Sequence, residues 1–200
     1  MDPMGFEHKM IILLCAEIKG YSRFKNEYEV AAVRICCRQH GIVVRPDFMS
    51  EEKDAAAHAK KVFPKEIAAV TQKHQGVMVI SVGDSLLAEF TTVMDALNCA
   101  VEIQQVLNDK NAQLSEHRII EFRIGINCGS VIENGGRICD GEVTIAKQLT
   151  NLAEKGGICI SASAHEQIEK MMQLRYEIMD EHILENLPKP IKVLRIQIKN

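Results

Sequence analysis

The pattern of apolar and polar positions along the chain predicts short strands interrupted by amphipathic helices. Short apolar or alternating runs, bounded by glycine, proline or polar residues, are typical of strands. Apolar positions that recur every three or four residues indicate helices. Strands are predicted at 10–18, 77–82, 85–90, 119–127, 158–161, 176–180 and 191–198, with a hairpin partner at 131–133; helices are predicted at 21–39, 51–74 (with a kink or a new start at Pro64), from Thr91 or Thr92 to about 108, 142–154 and 163–172.

Several of these strands are neighbours in sequence, which favours hairpins. Gly83 and Asp84 separate two strands by two residues, a common signal for a tight hairpin turn. Because helices lie between the other strands, we expect an α+β fold in which helices pack on a mostly antiparallel sheet. No long linker or repeat divides the sequence, so one domain is expected over residues 10–197, after an N-terminal tail at 1–9.

Composition and charge exclude several function classes. The net charge of -3 gives no basic footprint for nucleic acid, so no nucleic-acid partner is expected. The seven cysteines contain no Cys-x-x-Cys pair, which argues against zinc and favours buried thiols in a reducing compartment. The seven histidines have no metal-ligand spacing and are interpreted as surface or locally hydrogen-bonded residues. We expect a cytoplasmic protein without a membrane segment, because the longest apolar run is too short to span a bilayer.

Two acidic residues at strand ends carry the candidate chemistry. Glu17 ends the first strand shortly before Gly20, and Asp84 occupies the hairpin turn. Carboxylates that converge from neighbouring strands could hold Mg²⁺ together with phosphate oxygens. The start of the following helix could offer backbone N–H groups to the same phosphates. The alternative is that both acids are capping or solvated turn residues.

Segments along most of the chain, from about residue 10 to 197, resemble in order the motifs of the class III adenylate/guanylate cyclase catalytic domains, especially the bacterial ones. The resemblance implies the ferredoxin-like sandwich of cyclase-homology domains. It also implies a dimeric assembly, with a second copy or another cyclase-type chain. In that dimer one protomer supplies the metals, and its partner supplies the base-reading and transition-state residues. The similar segments are 16–22, 83–90, 121–127, 151–161 and 187–193.

The same resemblance assigns roles to individual residues. Glu17 and Asp84 stand where the family binds Mg²⁺ or Mn²⁺, and 18–22 follow as the segment around the nucleotide phosphates, ATP or GTP being the substrate class. In the family, the ribose 3′-oxygen attacks the α-phosphate in line between two metal ions. The implied nucleotide-binding residues of that segment are Ile18, Lys19, Gly20, Tyr21 and Ser22.

This sequence departs from the family pattern at several of these positions. Glu17 replaces an aspartate and carries one more methylene, whereas Asp84 matches. Thr144 replaces the asparagine that orients the ribose, and Gln148 replaces the arginine that stabilises the transition state. Lys147 points about 100° away around the helix. The two purine-reading positions fall at Ile80 and Arg137, or at Asp140 instead of Arg137 if the alignment shifts by three residues.

Three hypotheses follow from these departures. The first is an impaired cyclase-homology domain that binds nucleotide or dimerises in a regulatory role. The second is the metal-donating half of a heterodimeric cyclase. The third is an active homodimer in which Arg137 and Lys147 are replacement cations. Roughly twenty additional residues near 41–60 are either a tolerated surface loop or a small interaction surface.

Overall fold

The computed structural model of the chain describes residues 8–18, 33–34, 65–82, 85–112, 121–132, 140–171, 175–183 and 190–198. Within them the strands form one mixed sheet with helices packed on it, so the predicted α+β class is confirmed. No helix in these ranges is long and apolar enough to cross a membrane. The strands are β1 His8–Ile18, β2 Val33–Arg34, β3 Val77–Val82, β4 Ser85–Phe90, β5 Phe122–Ile132, β6 Ile158–Ser161, β7 Arg175–Ile178 and β8 Val193–Gln197; the helices are α1 Lys65–Lys73, α2 Val93–Asn111, α3 Asp140–Leu152 and α4 Ala162–Ile168.

The sheet has the strand order β2-β3-β4-β1-β5-β6-β8-β7. Every pair of neighbours is antiparallel except β5 and β6, which run parallel. β1 lies in the middle and pairs with β4 on one side and with β5 along its whole length on the other. The predicted β3–β4 hairpin is confirmed, with Val82 opposite Ser85.

Helices cover the sheet on both faces, which explains the continuous buried apolar run of β1 at residues 11–16. We call the face under α1, α2 and α4 the front face, and the face under α3 the back face. On the front face, alternate β1 residues such as Leu14 and Ile18 join the largest core cluster. On the back face, Ile11, Leu13 and Cys15 pack with Ala146 of α3 in a second cluster. Burial on both faces therefore fixes the register of β1.

β5 presents small and polar residues to α3 instead of aliphatic ones. The positions on its back face are Arg123, Gly125, Asn127 and Gly129, by alternation from the front-face core residues of the same strand. A methyl group on Gly125 would overlap the backbone oxygen of Ala146 and the backbone nitrogen of Thr150. Gly125 therefore allows the helix backbone to lie directly on the strand.

Two predicted elements are wrong. The helix expected at 21–39 is contradicted at Val33–Arg34, which is extended and pairs with Ile80 and Ser81 of β3. The free edge of a sheet offers backbone hydrogen bonds that override a weak helical pattern; the rest of 21–39 lies outside the described residues. The hairpin partner expected at 131–133 is instead the end of β5, because β1 continues to His8 and pairs with Ile132.

The remaining elements agree with the sequence to within a few residues. The Thr92 side chain caps α2 by accepting a hydrogen bond from the Asp95 backbone N–H, as expected for a threonine before a helix. The helical segment 51–64 lies outside the described residues, and α1 begins directly after Pro64. The described cysteines are buried and form no disulfide with one another, as expected: Cys15, Cys99, Cys128 and Cys159.

His165 contradicts the expectation that the histidines are surface or locally hydrogen-bonded residues. His165 on α4 is buried, and its Nε2 has no hydrogen-bond partner among the described residues. Its ring instead makes an edge contact with Tyr176 on β7, with centroids 4.5 Å apart. His165 lies three residues before buried Ile168, so both side chains project from the same face of the short helix α4. That face packs against the core, which is why the His165 ring is buried.

Candidate functional site

The candidate metal ligand Glu17 lies on the back face near the end of β1. It is opposite Ser85 on β4 and opposite Arg123 on β5. The Ser85 hydroxyl donates a long hydrogen bond of 3.4 Å to Glu17 Oε1. The carboxylate is half-buried, so it remains accessible from one side. A carboxylate and a hydroxyl oxygen therefore meet where the β3–β4 hairpin reaches the end of β1.

Arg123 connects this end of the sheet to the C-terminal end of α3. Its Nη1 donates a hydrogen bond of 3.2 Å to the Asn151 carbonyl oxygen, one of the last of the helix. Thr150 Oγ1 donates to the Cys15 carbonyl oxygen at 3.2 Å, which fixes the same turn of α3 to β1. The positive charge of Arg123 therefore offsets the negative charge of the neighbouring Glu17 and the negative end of the α3 dipole.

Several predicted nucleotide and metal residues lie outside the described ranges, namely Lys19, Gly20, Tyr21, Ser22, Asp84 and Arg137. Asp84 directly precedes Ser85, the residue that is opposite Glu17. Ile18 is described, and its side chain is buried in the front-face core. Ile80 lies on β3 opposite Leu87 of β4, and Asp140 is the first residue of α3.

The two predicted transition-state positions lie together on α3, away from the sheet. Thr144 and Gln148 are four residues apart, so they share one side of the helix, and both are half-buried. The sheet-facing residues of the same helix, Ala146 and Leu149, are fully buried. Lys147 is exposed on a different side of the helix, as expected from its position. The outer side of α3 thus carries an amide and a hydroxyl at the two positions.

A polar clamp at the N-terminal end of α3 is absent from the sequence-based site. Asn127 on β5 is buried, and its Nδ2 donates to the Glu142 carboxylate at 2.6 Å and to the Glu142 carbonyl oxygen at 3.3 Å. A methyl group on Gly129 would overlap the same carboxylate. The clamp fixes the first turn of α3 to β5. An asparagine between apolar strand positions was the available signal for such a buried partner.

A shallow cavity of about 310 Å³ lies beside this clamp, between the start of α3 and the start of α4. Asn127, Glu142, Ser163 and Lys192 are among the residues that line it. It is at the opposite end of α3 from Glu17, because Glu142 lies in the first turn of the helix, whereas Asn151, which Arg123 contacts, lies in its last turn. The cavity is therefore separate from the predicted carboxylate site.

The donor atoms at the end of β1 suit a hard cation. Carboxylate and hydroxyl oxygens are ligands that Mg²⁺ accepts, and Glu17 and Ser85 provide both types within 3.4 Å of each other. Within the described ranges, no three His, Cys, Asp or Glu side chains come together as a metal site. A complete site at this position therefore needs the carboxylate of Asp84, which the sequence places next to Ser85.

Comparison with solved structures identifies the fold. An adenylate/guanylate cyclase/hydrolase from Silicibacter pomeroyi superposes with a TM-score of 0.70 at 26% identity, covering 96% of this chain and 98% of that one. The adenylyl cyclase CyaB from P. aeruginosa superposes with a TM-score of 0.70 at 16% identity, covering 98% and 97%. The guanylate cyclase domain of a protein from Catenaria anguillulae, in complex with GTP, gives a TM-score of 0.64 at 14% identity over 97% and 100%.

Sequence comparison agrees with this fold. A putative adenylate cyclase of Rhizobium meliloti is 29% identical over 120 residues, which are 60% of this chain and 20% of that protein. An uncharacterised protein of Mycobacterium tuberculosis is 28% identical over 152 residues, 74% of this chain and 57% of that protein. The matches thus span a fifth and just over half of these two relatives. No protein-family model matches the chain.

Proposed function

We propose that this chain, which has the fold of the class III adenylate/guanylate cyclase domains, is a nucleotide-binding and dimerisation module of that family with impaired turnover. The proposal separates the family's composite site into two halves. The half that binds metal and phosphate is retained at the end of β1 and the β3–β4 hairpin. The half that stabilises the transition state, on α3, has lost its cation.

The metal-binding half rests on Glu17, Ser85 and Asp84. Glu17 and Ser85 face each other on the back face, and Asp84 comes directly before Ser85 in the chain. Mg²⁺ or Mn²⁺ held there would neutralise triphosphate oxygens of ATP or GTP. Glu17 provides one carboxylate and Asp84 the second, while the Ser85 hydroxyl orients the Glu17 carboxylate.

The loss of the transition-state half rests on the outer side of α3, and this observation carries the proposal. Thr144 and Gln148 share that side, where the family has an asparagine and an arginine. A glutamine amide donates hydrogen bonds but carries no charge, so it cannot balance the charge that develops on the phosphoryl group. Removing one such stabilising group costs about 10² or more in rate. Lys147 cannot substitute because it lies on a different side of the helix.

The back face is the surface through which two such chains would assemble. The clamp between Asn127 and Glu142 and the contact between Thr150 and Cys15 hold both ends of α3 rigidly on the sheet. A partner placed against the outer side of α3 would therefore meet an ordered surface. Nucleotide binding between the chains would stabilise the dimer by mass action, which is a regulatory output that needs no turnover.

Calorimetry and product analysis on the same samples test the proposal. Purified protein is titrated with Mg²⁺ or Mn²⁺ and with ATP or GTP, and cyclic nucleotide is measured by chromatography. We expect metal-dependent binding that Asp84→Ala abolishes, with little product. Rapid product formation that depends on Asp84 would contradict the impaired turnover, and no binding under any condition would contradict the nucleotide site.

A second candidate function is the metal-donating half of a heterodimeric cyclase. It is favoured by the same asymmetry, since the carboxylates are retained while the α3 residues are replaced. Mixing this chain with a cyclase-type chain that carries the asparagine and arginine but lacks its own metal carboxylates tests it directly. Product that appears only in the mixture supports this candidate, and an inactive mixture that still forms the heterodimer refutes it.

A further inference from the structure

The strand β7 forms one edge of the sheet within the part of the chain that the structure describes. Among the described residues it pairs only with β8, and all four of its residues are exposed. An edge strand presents unpaired N–H and C=O groups that can template pairing with another strand. Natural edges are protected by lysine, proline or a bulge, and none of these occurs in Arg175–Ile178.

The register identifies which backbone groups point outward. The Met179 N–H donates to the Val193 carbonyl oxygen at 2.9 Å, so residues 179 and 193 form a hydrogen-bonded pair. Such pairs alternate along an antiparallel ladder. Glu177 and Arg195 are therefore also a hydrogen-bonded pair, and the N–H and C=O groups of Tyr176 and Ile178 point away from β8.

The outer edge of β7 is complementary in charge to a second copy of itself. In an antiparallel pair with its twofold axis at Tyr176, Arg175 of each chain lies opposite Glu177 of the other. These are non-hydrogen-bonded positions, where the Cα atoms are about 4.5 Å apart and side chains are closest. Opposite charges placed directly across a strand pair are stabilising. Glu177 also has Arg195 at 3.5 Å within its own chain, a long and exposed contact.

The front side of the same edge is apolar. Tyr176 and Ile178, which lie opposite the front-face residues Ile196 and Leu194, are 39% and 67% exposed. The Tyr176 ring is held against the buried His165 ring of α4, so its position is fixed before any partner binds. In the same antiparallel pair the two Tyr176 side chains are direct neighbours, and such aromatic pairs stabilise a sheet.

We propose that β7 pairs antiparallel with β7 of a second copy of this chain, with the twofold axis at Tyr176, so that two sheets become continuous. The pairing is isologous, because the same strand serves both chains. It uses the sheet edge and leaves the back face with Glu17 and α3 free, so it does not depend on the proposed nucleotide site. Four paired residues bury little surface, and interfaces below about 1,200 Å² are typical of weak, transient contacts.

Disulfide trapping tests the register. In the proposed pair the two Tyr176 Cα atoms are about 5.5 Å apart, within the disulfide range of about 4.4–6.8 Å. Tyr176→Cys is therefore expected to form a covalent dimer under mild oxidation. Ile178→Cys is the matched control, because its two copies are about 13 Å apart along the strands. The wild-type chain gives the background from its own cysteines.

Charge reversal tests the contact with Tyr176 intact. Arg175→Glu places two acidic residues opposite two acidic residues, and Glu177→Arg does the same with basic ones, so each variant alone is expected to be more monomeric in sedimentation. A mixture of the two restores opposite charges and is expected to form heterodimers. All samples lack nucleotide and metal, and Asp84→Ala should behave as wild type. Thermal unfolding confirms that each variant is folded.

The outcomes are decisive for this edge. Covalent dimers of Tyr176→Cys well above those of Ile178→Cys, with rescue in the mixture, support the pairing. Equal trapping of both cysteine variants would show another register or random collision, and a mixture without rescue would assign the edge to a different partner. Either result overturns the proposal, whereas a failed nucleotide titration leaves it unaffected.

Discussion

Glu17 and Ser85 lie opposite each other in the antiparallel pair of β1 and β4, with the serine hydroxyl 3.4 Å from the glutamate carboxylate. The contact positions an acidic side chain at the strand end where the hairpin residue Asp84 precedes Ser85. Because glutamate reaches farther than the aspartate of the family pattern, the hydroxyl restrains a side chain that would otherwise have more rotamers.

Substitutions at this pair are expected to act on metal-dependent nucleotide binding. Glu17→Gln keeps the shape but removes the charge, so we expect binding to weaken about tenfold or more, since a paired charge is worth about 1.5–3 kcal/mol. Glu17→Asp should retain binding. Ser85→Ala should cost less than about tenfold, because its hydrogen bond to the Glu17 carboxylate is long at 3.4 Å and therefore weak. Calorimetry with Mg²⁺ and ATP measures each; equal affinity of Glu17→Gln and wild type would exclude Glu17 as a ligand.

Gly125 is expected to be needed for the close approach of α3 to β5. Gly125→Ala places a methyl group against backbone atoms of Ala146 and Thr150, which cannot rotate away. Overpacking of this kind costs about 1–3 kcal/mol, which urea unfolding would detect as a lower midpoint. Gly141→Ala is the matched control, because nothing lies within 4 Å of its added methyl group and alanine favours a helix. Equal midpoints for the two variants would contradict this packing.

The contact between α1 and α2 is expected to make stability depend on pH. Glu102 accepts hydrogen bonds from Lys73 Nζ at 2.8 Å and lies 2.7 Å from His74 Nε2. The hydrogen bond from Lys73, followed by the one from His74, lowers the pKa of Glu102 below its ordinary value of 4.5. A carboxyl whose pKa is lowered by folding stabilises the protein above its ordinary pKa, and this contribution disappears as the pH falls through the lowered value.

Glu102→Gln is therefore expected to be less stable than wild type at pH 7 and to approach it in acid. Thermal unfolding between pH 7 and pH 3 measures the difference. Glu166→Gln, at an exposed position of α4, is the control for loss of one acidic residue. A difference that stays constant as the pH falls would show that Glu102 acts through packing and not through its charge.

The sequence predicts local elements well and long-range pairing poorly, and particular residues show why. The predicted bounds of β3 and β4 agree with the structure because Gly83 and Asp84 form a clear turn signal between two apolar runs. The extension of β5 to Ile132 depends on β1, more than a hundred residues earlier, continuing to His8. The strand at Val33–Arg34 likewise depends on the free edge of β3. The local pattern of apolar and polar residues does not indicate which distant strand will pair with a segment.

In the candidate site, too, the sequence predicts individual residues but not the contacts between distant ones. The resemblance points to Glu17, Thr144 and Gln148, and the structure places Glu17 beside Ser85 and the other two on one side of α3. Asn127 between apolar strand positions signals a buried polar partner, but the sequence could not identify Glu142 as that partner, because the two residues become neighbours only after α3 has packed on β5. The need for glycine at 125 and 129 likewise arises only from the packing of α3 on β5.

The central claim is that turnover is limited by the outer side of α3, and the double variant Thr144→Asn with Gln148→Arg tests it most directly. Cyclic nucleotide formed from ATP or GTP with Mn²⁺ is measured for wild type, for the double variant and for the double variant with Asp84→Ala. We predict little product from wild type, about a hundredfold more from the double variant, and none after Asp84→Ala. Rapid product formation by wild type that is unchanged in Gln148→Ala would contradict the claim.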